Sequence, residues 1–543
     1  MSSRDVVKAS FRASPSIESN PRAVAGLPAF DRLLTSGSDF RLRLDRGNGL
    51  NAYGCQPFPR PGEISFSSST ASTISPRAYS AALSTYNTLC GAGALEREGG
   101  LAELATTTKE QLKALFDVND GEVEVVLSPS GTDAELQALF LARQSLAGPI
   151  TAIVVAADET GSGVAPAAAG RHFSGISSAG RAVIRGESLR GLGANVASVS
   201  VKARNTSGDA RPVAEIDDEV RRCAADAVSA GSGIVLHLMD HSKLGSRCPS
   251  LECVQDICAR WGNAVRVVVD ACQARLGRVR MRRYLDLGFM VIVTGSKFFT
   301  GPPLSGALFV PAQLWPEAAD AEALAGLSDY TDRDDWPEHW TALREGLPRC
   351  ANVGKLLRWS AALEEIRSYV AVPEMFRNIC VAEFNALVSR MLAEFPDLRL
   401  LPPPEWMGDT NSDDGEFGAR TIFPFLIINQ GSPLTLAESR IVYEALNRDL
   451  SPILPSKSNR EDAAVLVRPC HVGQPVGISD RQGREIGAIR ISASARLVSE
   501  SWRHSEPGGA IEEMRAMMGR VRIVLEKIQR ITSHFDEVCR VAS

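Results

Sequence analysis

Two charged side chains close two apolar runs in this chain, and their types define a chemistry. Val291-Ile292-Val293-Thr294 is apolar and β-branched, as a buried strand is, and after Gly295-Ser296 the chain presents Lys297. Phe298 and Phe299 follow, then the turn Gly301-Pro302-Pro303 and a returning apolar run, Ala307 to Val310. Desolvation disfavours the charged form of such a lysine, and the neutral amine is the form that attacks a carbonyl. A solitary strand-end lysine more often reaches water along its own stem. This one has a companion. Val265 to Gln273, VRVVVDACQ, is a second buried strand that ends in Asp270, with Gln273 just beyond.

An aspartate and a lysine at the ends of two adjacent buried strands suit pyridoxal 5'-phosphate. The lysine would hold its aldehyde as a Schiff base. The aspartate would keep the pyridine nitrogen protonated, so that the ring draws electrons from a substrate Cα. Upstream, a strand from Glu122 to Leu127 runs into Ser128-Pro129-Ser130-Gly131-Thr132-Asp133-Ala134 and a helix from Glu135 to Ser145. Strand, small polar turn and helix N-terminus together make an anion site, because unpaired backbone N–H groups and the helix dipole face the ligand. The same residue types also serve as a plain helix cap. With the Asp270/Lys297 pair downstream, a phosphate cradle at Ser130, Gly131 and Thr132 is the expected role.

Further strands are expected at Ile150–Ala156, followed by Asp158-Glu159-Thr160-Gly161, and at Gly233–Met239, followed by Asp240-His241-Ser242-Lys243. A helix from Leu251 to Trp261 leads into the Asp270 strand. This alternation predicts an α/β fold: a mostly parallel sheet covered by helices on both faces, with ligands at the carboxyl ends of its strands. Gly62–Phe66 reads as a short strand leading into the hydroxyl-rich Ser67–Ser75, which either enters the site or is a solvated loop. Glu159 is either a polar group of the site or a surface carboxylate. Beyond a polar stretch after Gly326, long helices are expected near Ala351–Val370 and Glu374–Phe395. The expected organisation is an arm over residues 1–60, a large domain over 61–330 and a smaller α+β domain over 331–543.

From about Glu63 to about Arg496, the order and spacing of these motifs resemble the fold-type I pyridoxal enzymes, and within them the class V aminotransferase and cysteine desulfurase group. The resemblance implies a cofactor pocket that includes Gln273, Thr294, Ser296 and a polar residue of the 240–245 loop, Ser242 or His241. It also implies a cytoplasmic homodimer with sites near the subunit interface. A short strand at Val465–Arg468, the loop Cys470-His471-Val472-Gly473-Gln474-Pro475 and the strand Gly487–Ser492 resemble the desulfurase C-terminal domain. There an arginine of the later strand grips the substrate carboxylate, a task suited to a planar guanidinium, and Arg490 is the matching residue, with Arg496 as fallback. Three positions depart from the pattern. Val472 stands where desulfurases with this loop carry the nucleophilic cysteine, Cys470 being two residues early. Ser296 replaces the His, Gln or Arg before the lysine, and Phe289 replaces an acidic residue. No histidine stands near Thr160 to stack on the ring.

The expected function is therefore a pyridoxal phosphate-dependent reaction on an α-amino acid, with amino-group transfer first because it needs nothing beyond Lys297. Side-chain elimination comes second, and sulfur mobilisation through Cys470 third. A non-catalytic binding module is the reading outside enzymology, and the intact Asp/Lys pair counts against it. Composition narrows the partners. The chain has 543 residues, 44% hydrophobic and 23% charged, with a net charge of −5 and no basic tract, so nucleic acid is not an expected partner. No apolar run approaches the roughly 18–20 residues that span a bilayer, and the first residues lack an apolar signal core. Eleven scattered cysteines without a CxxC pair read as free thiols. Asp409–Gly415 mimics a calcium loop but has Asp414 at the glycine position and Arg420 at the final glutamate position, and reads as an acidic loop.

Overall fold

The computed structural model describes residues 30–542, apart from 96, 98, 119–120, 317–319, 350–351, 409–411, 455–459 and 503–506. The first 29 residues of the N-terminal arm and residues 409–411 of the acidic loop thus lie outside the described residues. The core is a seven-stranded sheet in the order Val123–Ser128, Gly306–Pro311, Met290–Thr294, Val265–Ala271, Gly233–Met239, Ile150–Val155, Val196–Val201. From Met290–Thr294 outward every pairing is parallel, and only Gly306–Pro311 runs antiparallel to both its neighbours. That reversal is the return after Gly301-Pro302-Pro303 expected from the sequence.

Strand periodicity explains why both faces are covered. Val267, Val269, Val291 and Val293 pack into one apolar cluster with Leu112, Ile216, Val254, Met281 and Trp359, all helical. Val268, Met290 and Ile292, at the alternate positions, join a second cluster with Leu136, Leu139 and Phe140 of the helix Gly131–Ser145. Continuous β-branched runs are what a doubly covered strand requires, so the sequence signal was strong here. The strand Val196–Val201 was not foreseen. It is the sheet edge, and four of its six residues are exposed.

A second sheet has the order Ile64–Phe66, Cys470–Ser479, Glu485–Ser492, Ile422–Asn429, Ser432–Pro433, with Leu398–Leu400 also paired to Ile422–Asn429. The short Gly62–Phe66 strand therefore crosses over and pairs in parallel with Cys470–Val472. Two local expectations are corrected here. Val465–Arg468 is not a strand: residues up to Val467 end the helix Arg460–Val467. Cys470–Pro475 is not a loop but part of a ten-residue strand, with a register shift between Gly473 and Val476. A bulge admits Pro475, which cannot donate to a regular ladder.

The helix Val353–Val370 locks the two halves together at the lysine turn. An ideal Cβ at Gly295 or at Gly301 would lie 2.6 Å from Ala362 Cβ, so only glycine lets the Lys297 turn press onto this helix. Four non-glycine residues adopt left-handed backbone after strand ends of this region: Ala156, Ala274, Thr300 and Leu304. Such strained positions persist only where surrounding packing fixes them, and they concentrate where function is built.

Candidate active site

The sheet brings Asp270 and Lys297 to the carboxyl ends of adjacent parallel strands. Period-two alternation places Asp270 on the face of Val268, which is the face covered by the Gly131–Ser145 helix. Asp270 is buried. Its two oxygens accept from the Cys272 N–H at 3.0 Å and from the Thr160 hydroxyl at 3.1 Å. Thr160, the residue the sequence placed near the ring position, thus touches the aspartate directly. Lys297 is half-buried, and its amine has no hydrogen bond or ion pair among the described residues. Around it, Ser296 is buried and Thr294 donates to the Cys272 carbonyl at 2.7 Å.

The turn after the strand Val123–Ser128 opens the helix Gly131–Ser145 directly. Ser130 is the N-cap, and its hydroxyl accepts from the Asp133 N–H at 3.3 Å. Thr132 is buried, and its hydroxyl has no partner among the described residues. A side chain at Gly131 would collide with Cys272 Sγ, so the helix start sits against the Asp270 loop. Asp133 accepts from the hydroxyls of Ser130 and Ser178, and burial pushes it up to about 6. One member of the cradle was not foreseen. Arg41 reaches Ser130 Oγ at 3.1 Å while Asp39 grips it from behind at 2.7 Å. A cation beside a helix N-terminus strengthens an anion site. No periodic signal in the Ser/Arg/Gly-rich arm marks this arginine.

Gln273 and the Ser67–Ser75 segment close the other side. Gln273 donates to the Ser69 carbonyl at 3.0 Å and accepts from Arg275 at 2.9 Å. Arg275, also unforeseen, is fully buried and further binds Ser68, Thr421 and the Ala493 carbonyl. Ser67, Ser68, Ser69, Ser72 and Thr73 are all buried. The solvated-loop alternative for Ser67–Ser75 is therefore overturned: tertiary partners satisfy hydroxyls that look solvent-seeking in sequence.

Arg490 is 1% exposed and has no carboxylate against it. Its guanidinium donates to Thr70 Oγ1 at 2.8 Å, to the Lys243 carbonyl at 3.3 Å, to the Ser69 carbonyl at 3.4 Å and to the Gln474 carbonyl, while Nε is left without a hydrogen bond. Burial pushes it down to about 9. Neutral acceptors thus engage four of its N–H donors and leave its charge without a paired carboxylate among the described residues. Arg496 does not share this position. It binds the carbonyls of Thr73 and Thr300 and lies near Glu365.

The 240–245 loop resolves differently from its sequence reading. The Ser242 hydroxyl donates to Glu159, which Arg204 pairs at 2.6 Å, so Ser242 braces the loop. Glu159 is fully buried, which overturns its surface alternative. His241 is no solvated histidine. It is buried between Asp240, at 2.9 Å, and Arg247, and burial together with Arg247 holds the imidazole down to about 3.

Cys470 is fully buried at the start of its strand, paired with Ile64. Its thiol points to the Arg468 carbonyl at 3.6 Å, and burial pushes it up to about 11. A thiol so placed is protonated near neutral pH and is therefore a poor nucleophile. Cys470→Ala is accordingly expected to change amino-acid turnover by less than about twofold while lowering Tm, because a buried core group is lost. Loss of all turnover in a folded Cys470→Ala protein would restore the sulfur-transfer reading.

No protein-family model matches the chain, and no curated protein matches it. Among solved structures the chain is similar to two forms of the cystine C-S lyase C-DES. One is its complex with the reaction product cysteine persulfide, at a TM-score of 0.48. The other is a lysine-to-alanine mutant with glycine covalently linked to the PLP cofactor, at 0.49. Both share 14% identity and cover 85% of this chain and 98% and 97% of their own. At that distance the assignment of the site rests on this chain's own residues.

Proposed function

We propose that this protein is a pyridoxal 5'-phosphate-dependent enzyme acting on an α-amino acid, with amino-group transfer as its reaction. One observation carries the proposal: Asp270 and Lys297, which has no partner among the described residues, follow adjacent parallel strands beside a helix N-terminus that already holds an arginine. The residues fit the cofactor at three of its functional groups. Ser130, Gly131, Thr132 and Arg41 would hold the phosphate, Asp270 the pyridine nitrogen, and Lys297 the aldehyde carbon.

When bound, the cofactor supplies an electron sink for the amino acid's Cα. Everything else is the work of this chain. Asp270, fixed by Thr160 and Cys272, keeps a proton on the pyridine nitrogen. Arg490 orients the substrate through its α-carboxylate. Lys297, once released, takes the Cα proton and can return it to a neighbouring carbon, which is the proton movement that amino-group transfer requires. Elimination needs in addition a leaving group on the side chain. Sulfur transfer through Cys470 would need a thiolate that the buried strand does not provide.

The test is a screen of amino acids against the cofactor-loaded protein, read by visible spectra and product analysis. A 2-oxo acid product with an aminated second substrate supports transfer. Release of the side chain as a thiol, with pyruvate and ammonia, would replace it with elimination. No spectral response to any amino acid would favour the binding-module reading. We further propose a homodimer, since Phe40, Leu44 and Phe58 remain exposed on the segment that delivers Arg41. Light scattering at micromolar concentration should give twice the 58.3 kDa chain mass; a fully active monomer would refute this.

A further inference from the structure

The site contains a second amine. Lys243 follows Ser242, and three bonds define its path. Its N–H donates to the Glu159 carbonyl at 3.0 Å, its own carbonyl accepts from Arg490 at 3.3 Å, and its Nζ donates to the Thr160 carbonyl at 2.7 Å. The Thr160 hydroxyl is the one on Asp270. The side chain therefore runs from the Arg490 end of the site to the Asp270 end, across the space where sequence left the ring-facing group unassigned.

Arg490 and Lys297 act on Lys243 as cations, as does Arg41, which Asp39 already pairs, and Asp270 acts on it as an opposing carboxylate. Glu159, the nearest acid on the adjoining loop, is already taken by Arg204 and Ser242. In the proposed function each other charge has a partner: Arg41 the phosphate, Asp270 the pyridinium, Arg490 the α-carboxylate and Lys297 the aldehyde. No carboxylate pairs with the Lys243 amine among the described residues.

We propose that Lys243 binds a second acidic group, so that the substrates of this site are α-amino acids with an acidic side chain. This rests on the functional reading above and narrows it. Burial first and then Arg490 and Lys297 push the amine down to about 7. Below that value it is charged and ready for an anion. Above it, binding a second carboxylate must first draw a proton from water, so affinity for a dianion falls as pH rises.

Amine-free acids test this without turnover. On the cofactor-loaded protein, dissociation constants for succinate and butyrate are measured by absorbance titration between pH 6 and 9. Succinate is expected to bind at least tenfold tighter than butyrate at pH 6, with the ratio shrinking toward pH 9. Lys243→Met should bring the ratio to about one across the range. Lys243→Arg should keep the preference and remove its pH dependence, which also shows that the loop folds around a replaced residue. A wild-type ratio near one, or a preference retained in Lys243→Met, overturns the acidic subsite alone. A protein that takes no cofactor on Lys297 overturns the functional reading and the subsite with it.

Discussion

Replacing Lys297 by alanine is expected to abolish turnover, with a loss of about a thousandfold or more, since nucleophile and proton carrier disappear together. Reduction of the wild-type protein with borohydride is expected to fix the cofactor on Lys297, read by peptide mapping. The prediction is sharp because the site holds a competing amine. Lys243 is partly buried and pushed down to about 7, and so is itself nucleophilic near neutral pH. What separates the two is engagement and position. Lys243 donates to the Thr160 carbonyl, whereas Lys297 has no partner among the described residues and stands on a turn pinned to the Val353–Val370 helix at Gly295 and Gly301. An adduct mapped to Lys243 would exchange the roles of the two lysines. In Lys297→Ala the phosphate cradle and Asp270 are untouched, so cofactor should still bind, reversibly and without the covalent product.

The parts of this site that could be read from sequence are those dictated by local pattern. Strands buried on both faces must be continuously apolar, so the strands ending at Asp270 and Lys297 announced themselves, and a Gly/Ser/Thr turn before an apolar-periodic helix marked Ser130 to Thr132. What was left open or misread depends on contacts made at long range. Ser67–Ser75 looks solvated until Arg275, Gln273 and Arg490 arrive to bind Ser68, Ser69 and Thr70. The glycine and proline of Cys470–Pro475 signal a turn, yet a register shift lets them sit in a strand between Ile64–Phe66 and Glu485–Ser492. Val465–Val467 is too short an apolar run for periodicity to separate helix from strand. Arg41 and Lys243 gave no signal of their own. Each acts because tertiary structure brings it to a position, next to Ser130 and next to Thr160, that neither composition nor spacing records.

Arg490→Ala is expected to weaken apparent substrate binding by about 2–4 kcal/mol, roughly 30- to 800-fold, the loss of a charge-assisted, two-pronged contact with a carboxylate. The expected loss has two sources. The substrate carboxylate loses its partner, and the acceptors that now hold the guanidinium, the carbonyls of Ser69, Lys243 and Gln474 and the Thr70 hydroxyl, lose a shared donor. Arg490→Lys separates them, since an ammonium keeps the charge but cannot reproduce the planar fork; it should recover only part of the binding. A third variant reaches the same group without removing it. Gly473 faces Arg490 across the strands, and an ideal Cβ there would lie 2.6 Å from Ser69 Oγ and 3.0 Å from Arg490 Nε. Gly473→Ala should therefore displace Ser69 and with it the guanidinium that donates to the Ser69 carbonyl, and raise KM more than it lowers kcat, since ground-state and transition-state binding of the carboxylate are lost together. The control is the bound cofactor's absorbance, which should persist in all three variants because none touches Lys297, Asp270 or the Ser130–Thr132 cradle. Unchanged KM in Arg490→Ala, with cofactor in place, would show that the substrate carboxylate binds elsewhere and that Arg490 serves only to hold Ser69, Thr70 and Gln474 together.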